Sequence, residues 1–231
     1  MKTDISIIIP VLNEQETINQ TIKKIYLQSF SGRLEIIVVD GSEDRSTILY
    51  IANPKVITVS SAPGRGIQMN SGAKMASGNI LLFLHSDTIL PENGLNDILT
   101  VMKDRSIQAG AFDLAINQKG LAYRIIEKTA SLRSRMTKIP YGDQSIFIRK
   151  KYFFNIGQYR EIPIMEDVEL MMSVKRDKGR LRFLKSRTST SSRRWEKEGI
   201  VFCTLRNWTI LSLFLLGMKP EKLAGFYKNK V

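Results

Sequence analysis

The chain has 231 residues, 43% hydrophobic and 25% charged, enough for one α/β domain with a sizeable core. A single cysteine, Cys203, excludes an intramolecular disulfide and fits a reducing compartment, and a single histidine, His85, excludes any multi-histidine zinc site. The formal net charge of +13 is uneven: residues 1–150 carry 18 basic and 14 acidic side chains, residues 151–174 carry 2 and 4, and residues 175–231 carry 15 and 4.

The N-terminal residues show no basic start, apolar stretch and small-residue cleavage site of a secretory signal, so a cytoplasmic location is expected. "ISIIIPV" reads as a first core strand. "EQETINQTIKKIYLQSF" then places Ile18, Ile22, Ile25 and Tyr26 at the spacing of an amphipathic helix. "LEIIVVD" is a second strand, "DRSTILYIAN" a short helix and "KVITVSS" a third strand. "GIQMNSGAKMAS" is a helix ended by Gly78, and "NILLFLH" is a fourth strand. Strands alternating with helices at this cadence mean βαβ units and a mostly parallel sheet, and near-continuous apolar strands fit a sheet covered on both faces.

From about Gly110 the rhythm changes. "AGAFDLAI" predicts a strand, "LAYRIIEKTASLRSRM" a helix with apolar and basic faces, "DQSIFIRKKYFFNIG" a short strand and "EDVELMMSVKRDKG" a helix. "GRLRFL" and "SRTSTSSRRW" read as late strands or loops, and "IVFCTLRNWTILSLFLLGM" as an apolar helix. The organisation is a first half over 1–110, a second half of the same domain over 111–190, and a basic and apolar helical tail over 191–231.

Parallel α/β sheets bind ligands outside the carboxyl ends of their strands. Here those ends deliver Pro10, Asn13 and Glu14 after the first strand, Asp40 and Gly41 after the second, a segment from Ser60 to Gly66 after the third, and Ser86 and Asp87 after the fourth. A carboxylate at the end of a buried strand must be solvated, paired or bound to a cation. For Asp40 the competing role is N-cap of a helix near "EDRST", for which Ser42 or Asp44 is better placed. In "APGRGIQMNSGAKMASG", backbone N–H groups at a helix start and the charge of Arg65 favour phosphate, although capping and turn formation account for the glycines almost as well.

The segments "ISIIIPVLNEQETI", "IIVVDGSEDRST" and "LLFLHSDTILP", followed by "PYGDQSIFIRK", "PIMEDVELMMSVKR" and "TSSRRWEKEG", resemble glycosyltransferase family 2. That family is of the inverting type with a GT-A fold, and the likeness is to its small bacterial members and covers roughly residues 5–200. The resemblance implies an α/β fold with a mostly parallel central sheet, helices on both faces and a C-terminal helical tail. The first half would bind a nucleotide diphosphate sugar, of uridine type, and the second half the acceptor. Asp40 matches the aspartate that bonds the uracil or ribose. Asp87 matches the last acidic position of the Asp-X-Asp metal motif, which implies a divalent cation, Mn2+ or Mg2+, on the diphosphate. His85 stands where that motif has its first aspartate, which leaves metal dependence open. Asn70 resembles a residue near the nucleotide, with Arg65 and Gln68 beside it. Glu166 and Asp167 match the Glu-Asp pair that supplies the general base, with Asp167 at the base position. Tyr141, Asp143 and Gln144 resemble the acceptor-side loop. Arg194 and Trp195 partly match the Gln-X-X-Arg-Trp motif, with Ser191 at the glutamine position.

In the tail, Ile200 to Gly217 is marginal in length and interrupted for a spanning helix, since about 20 apolar residues are needed. It reads as an interfacial helix on an anionic membrane surface, a homodimer contact, or part of the domain's own core. A lipid-linked acceptor would explain both the apolar helix and its basic flanks. Two other readings stand beside the transferase. A sugar nucleotidyltransferase wants glycines and a lysine after the first strand, where this chain has "PVLNEQE". A non-enzymatic basic membrane-recruitment or RNA-binding module rests on charge alone, and with no recognised RNA-binding motif nucleic acid is disfavoured.

Overall fold

A computed structural model describes residues 3–228. Its sheet has seven strands: β1 (Ile5–Val11), β2 (Leu34–Asp40), β3 (Ile57–Ser60), β4 (Ile80–Phe83), β5 (Ile107–Ile116), β6 (Phe147–Arg149) and β7 (Arg180–Thr190). The strand order is β3-β2-β1-β4-β6-β5-β7. Strands β1, β2, β3 and β4 pair in parallel, as do β5 and β7, while β6 runs antiparallel to both β4 and β5. The helices are α1 (Ile18–Tyr26), α2 (Arg65–Met75), α3 (Gly94–Met102), α4 (Leu121–Thr137), α5 (Lys150–Asn155), α6 (Glu166–Arg176), α7 (Arg193–Glu198), α8 (Ile200–Leu215) and α9 (Pro220–Lys228).

Strand alternation divides the apolar residues between two cores. Ile8, Ile37, Val39, Leu81 and Phe83 point to one face, where Met69 and Ala73 of α2, Phe153 of α5 and Val168 and Met171 of α6 cover them. Ile7, Ile9, Ile36, Val38 and Leu82 point to the other, covered by Ile18, Ile22 and Ile25 of α1 and by Leu95, Ile98 and Met102 of α3. Each fully buried side chain of this kind contributes about 1.5–3 kcal/mol. The strands therefore have a buried surface on both sides, as their uninterrupted apolar runs require.

The structure departs from the pattern-based expectations in four places. "DRSTILYIAN" forms only a 3-10 turn over Ile48–Tyr50, because Pro54 lacks an N–H and biases its predecessor away from helix. "GRLRFLKSRTST" is one continuous strand, β7, whose pairing with β5 shifts register between Ala111 and Asp113. The stretch after Arg149 becomes the short helix α5. Helix α3, not anticipated, buries Leu95, Ile98 and Met102 on one side. The change of rhythm near residue 110 falls inside β5, so the two halves share one sheet. Helix α8 contributes Ile210 and Leu211, and α9 contributes Leu223, to the same core as α6. The tail is thus packed on the domain along one face. No helix among the described residues is long and apolar enough to cross a membrane.

Candidate active site

The carboxyl ends of β1 and β4, the segment after α4, the start of α6 and the segment after β7 surround a cleft of about 520 Å³. Its lining includes Glu14, Arg65, His85, Asp87, Tyr141, Asp143, Asp167, Arg193, Arg194 and Trp195. With Glu198, five carboxylates and three guanidiniums that are scattered along the sequence thus meet in one place.

Asp167 sits in the first turn of α6, held by two backbone donors. The Gly142 N–H donates to its Oδ2 and the Val168 N–H to its Oδ1, each at 2.7 Å. The first donor comes from the 3-10 turn Gly142–Gln144, so the acceptor-side loop and the helix start form one unit. That turn is fixed in turn by Gln144, which is fully buried. Its amide donates to the Phe112 carbonyl, and its Oε1 accepts from Ser134 and from the Tyr141 N–H. The residue before α6, Met165, has a φ of 66°. For a non-glycine residue this left-handed backbone is strained, and its surroundings hold it there.

Glu166 is 2% exposed and points away from Asp167's cleft face into the protein, where Arg65 of α2 meets it with Nε at 2.7 Å from Oε1. Burial pushes the Glu166 carboxyl up to about 7, against the opposing effect of Arg65 and with a further upward contribution from Asp167. Asn70 binds α2 to the same region by a reciprocal pair, donating to the Tyr159 carbonyl at 2.9 Å and accepting from the Tyr159 N–H at 3.0 Å. Gln68 donates to the carbonyls of Val11 and Val39 and so ties together the ends of β1 and β2.

Asp143 is pushed up to about 6, first by burial and then by the Asp167 charge, with Arg133 and Arg194 opposing. Its shielded Oδ1 finds no hydrogen-bond partner among the described residues. Asp87 is also raised by burial, opposed by Arg193 and reinforced by Glu14. His85 is lowered to about 3 by burial and by Arg65 and Arg194, so its imidazole is neutral. Its Nε2 lies against Gly142: a Cβ added there would stand 2.5 Å from that nitrogen.

Several expected site residues lie behind the cleft wall, bonded within the fold. Asp40 is fully buried and points into its own turn. Oδ1 accepts from the N–H and Oγ of Ser42, and Oδ2 from the N–H groups of Thr47 and Ile48. These four donors occupy both carboxylate oxygens in the local turn, a capping arrangement. The Asn70 and Gln144 amides are likewise bonded to backbone groups, and Gln144 also to the Ser134 hydroxyl. Pro10 is buried in β1, and Gly41 packs against Gln68. Ser86 is buried with its carbonyl accepting from Thr21, and the exposed Asn13 accepts from Ser46. None of these, nor Glu166, is among the cleft's lining residues. Conversely, Ser191, Arg193, Lys197, Glu198 and Asn207 line it. Glu198 and Asn207 belong to the tail, which pattern alone had set apart from the domain. Their position depends on the buried Arg206–Glu198 ion pair, 2.5 Å, which closes α8 onto α7.

The family model described as glycosyl transferase family 2 matches residues 6–164. The chain belongs to glycosyltransferase family 2. An uncharacterized glycosyltransferase of Mycobacterium tuberculosis is 35% identical over 86 residues, which are 36% of this chain and 33% of that protein. The poly(ribitol-phosphate) β-N-acetylglucosaminyltransferase TarP of Staphylococcus aureus is 24% identical over 151 residues, 62% of this chain and 45% of that protein. The chain thus spans a third to a half of the length of these relatives. Among solved structures, S. aureus TarS 1–349 in complex with UDP-GlcNAc aligns with a TM-score of 0.62 at 19% identity, covering 82% of this chain and 58% of that one. The mannosyltransferase PcManGT of Pyrobaculum calidifontis, in complex with GDP-Man and Mn2+, aligns with a TM-score of 0.64 at 17% identity, covering 82% and 57%. The fold of this family 2 chain is GT-A, as its strand order and the alignments agree.

Two predictions follow from the packing and charge of this family 2 site. Gly142→Ala destabilises the fold by about 1–3 kcal/mol, because the new methyl overpacks His85. Adding His85→Ala restores most of that loss, giving a coupling of about 1 kcal/mol or more in a urea-unfolding cycle. Strictly additive effects would place the two residues out of contact. For Asp143, the folded value of about 6 lies above the ordinary 3.8, so the fold favours the protonated form. Its contribution to stability is complete below about pH 4 and is lost as pH rises through about 6. Asp143→Asn should therefore gain stability relative to wild type across that window and hold a constant difference above it. Parallel pH profiles of the two proteins in urea unfolding would contradict the shift.

Proposed function

We propose that this chain is an inverting glycosyltransferase that moves a sugar from a nucleotide diphosphate sugar, of uridine type, to a hydroxyl acceptor. The observation that carries the reading is the convergence of Asp87 and Asp167, from opposite halves of the domain, on one cleft that also holds Arg65, Arg193 and Arg194. In support of the uridine assignment, the TarS neighbour was crystallised with UDP-GlcNAc. Family membership favours this reading over the nucleotidyltransferase and the non-enzymatic module.

Asp167 is the general base. Its carboxylate takes the acceptor's hydroxyl proton while that oxygen attacks the anomeric carbon, and the bond to the diphosphate breaks with its electron pair leaving on the phosphate oxygen. A single displacement inverts the anomeric centre and needs no covalent nucleophile. The two backbone N–H groups on Asp167 fix the direction from which the proton is taken. Arg65 is half exposed while its Nε is held by Glu166, so a cationic edge of the guanidinium can face the leaving phosphates. Glu166 positions Arg65 and is not itself the base. Asp143, next to Asp167 and pushed up by burial, presents a carboxyl to acceptor hydroxyls. The Trp195 ring forms part of the acceptor wall.

Asp87 offers one carboxylate and His85 one neutral imidazole to the cleft. The described residues hold no group of three His, Cys, Asp or Glu side chains that could bind a metal. This donor set fits a divalent cation, Mn2+ or Mg2+, whose remaining ligands are phosphate oxygens of the donor. Such a cation would neutralise charge developing on the leaving diphosphate. Asp87 is the residue assigned to hold it.

Asp167→Asn should lower sugar transfer by about 100-fold or more while leaving donor affinity within about twofold. The check is a transfer assay beside calorimetric donor titration. Transfer by the variant at the wild-type rate would remove Asp167 from the base role.

A further inference from the structure

We infer that α8 is a docking helix for an anionic lipid surface, with α4 as a second point of contact. Helix α8 buries one face, through Cys203, Arg206, Ile210 and Leu211, on the domain. Its opposite face is apolar and uncovered: Val201 is 70% exposed, Leu205 59%, Trp208 53% and Leu215 49%, each one to two helical turns from the last. Between Gly199 and Met218 the charged residue is Arg206, which is buried and paired with Glu198, so no charge interrupts that face. Exposed Ser212 adds a hydroxyl between Trp208 and Leu215, but a soluble monomer rarely leaves an apolar strip of this length to water.

Helix α4 repeats the pattern. Leu121, Ile125, Leu132 and Met136 are all more than half exposed on one side of the helix. Its start lies beside the tail, because the Gln118 amide donates to Glu196 of α7 at 2.7 Å and the Asn117 N–H donates to the Thr190 carbonyl at 2.9 Å. Its end leads into Tyr141, Gly142 and Asp143 of the cleft, while Asn207 of α8 lines the same cleft. The exposed apolar residues of α8, and those of α4 with the exposed Lys128 among them, therefore border one opening.

Charge selects the occupant. Residues 193–222 carry six basic side chains and three acidic ones. Arg193 and Lys197 stand before α8 and Lys219 and Lys222 after it, all exposed. A twofold pairing of two copies through this helix would set basic end against basic end whether the helices ran parallel or antiparallel. An anionic bilayer complements both ends at once and takes the apolar strip between them, the arrangement of a helix lying in the interface. Trp208 suits the headgroup level, with an apolar ring and a polar N–H. The helix is too short to span, which agrees with lying on the surface. The inference does not rest on the transferase reading, because docking is measured without donor or acceptor.

The test is co-sedimentation of the full chain with vesicles of phosphatidylcholine alone or mixed with phosphatidylglycerol. The expected result is binding to the mixed vesicles at least tenfold tighter than to the neutral ones, weakened by high salt. Leu205→Glu with Trp208→Glu should lose at least tenfold of that binding at an unchanged melting temperature, since both positions are exposed. Lys219→Glu with Lys222→Glu should lose binding to the mixed vesicles and leave the weak neutral-vesicle binding alone. Equal binding to both vesicle types, no binding to either, or full binding by the Leu205/Trp208 variant would overturn the inference. So would a wild-type dimer in sedimentation velocity that the same variant abolishes, because the face would then belong to a second copy.

Discussion

A carboxylate sealed from water needs hydrogen-bond donors or a cation to compensate it, and Glu166 meets its cation, Arg65, across the domain. Arg65 begins α2, which packs on the strands of the first half. Glu166 begins α6, which follows the second half's loops. Their ion pair, with the Asn70–Tyr159 bonds beside it, sets the distance between the two halves at the mouth of the cleft. Removing Arg65 would leave the buried Glu166 carboxylate without its partner, a cost of several kcal/mol, whereas the half-exposed Arg65 stays solvated without Glu166. Because Asp167 is the next residue on the helix, the contact that closes the domain also places the proposed base. Arg65 keeps part of its guanidinium in the cleft while it does so.

Three of the seven non-glycine residues with positive φ among the described residues border this region. Asn13 after β1, Ser145 after the acceptor-side turn and Met165 before α6 all have positive φ, at 57°, 49° and 66°. Each ends or begins an element whose neighbours face the cleft. Strain of this kind costs of order 1–3 kcal/mol per residue and persists where surrounding contacts over-determine it. Here the contacts are identifiable: the Ser46 hydroxyl on Asn13, the Gln144 network under the turn, and the Gly142 and Val168 N–H groups on Asp167. The site is therefore built from loops whose shape is fixed by buried amides and carboxylates behind them.

That division explains what the amino-acid sequence disclosed and what it withheld. The parallel sheet and its two covered faces were legible, because "ISIIIPV" and "IIVVD" bury residues of both parities and the helix between them keeps its apolar spacing. The polar strand ends were legible as a group. Their individual roles were not. Asp40 and Asp87 look alike in sequence, each an acid after an apolar run, yet Asp40 turns back onto the N–H groups of Thr47 and Ile48 while Asp87 faces the cleft. Only three-dimensional placement separates a cap from a ligand, since both use the same carboxylate chemistry. Asn70 and Gln144 carry the same ambiguity: an amide that could bind a ligand here fastens backbone. The contribution of Glu198 and Asn207 was invisible for a different reason. It depends on α8 folding back through Arg206, a contact between helices that periodicity within either one does not encode. The Asp-X-Asp departure also gains a physical reading, because His85 fills the space above Gly142 with a neutral ring where a carboxylate would add charge.

All of these features serve one claim: side chains from both halves form a single site for a nucleotide diphosphate sugar, with Asp87 as its link to a divalent cation. Calorimetric titration of UDP- and GDP-sugars, with and without Mn2+, into wild type and Asp87→Asn tests it most directly. The account predicts saturable binding of at least one such donor that requires the cation and weakens by about tenfold or more in the variant. Binding of none of them to the folded protein, or equal affinity in wild type and Asp87→Asn with the cation present, would contradict it.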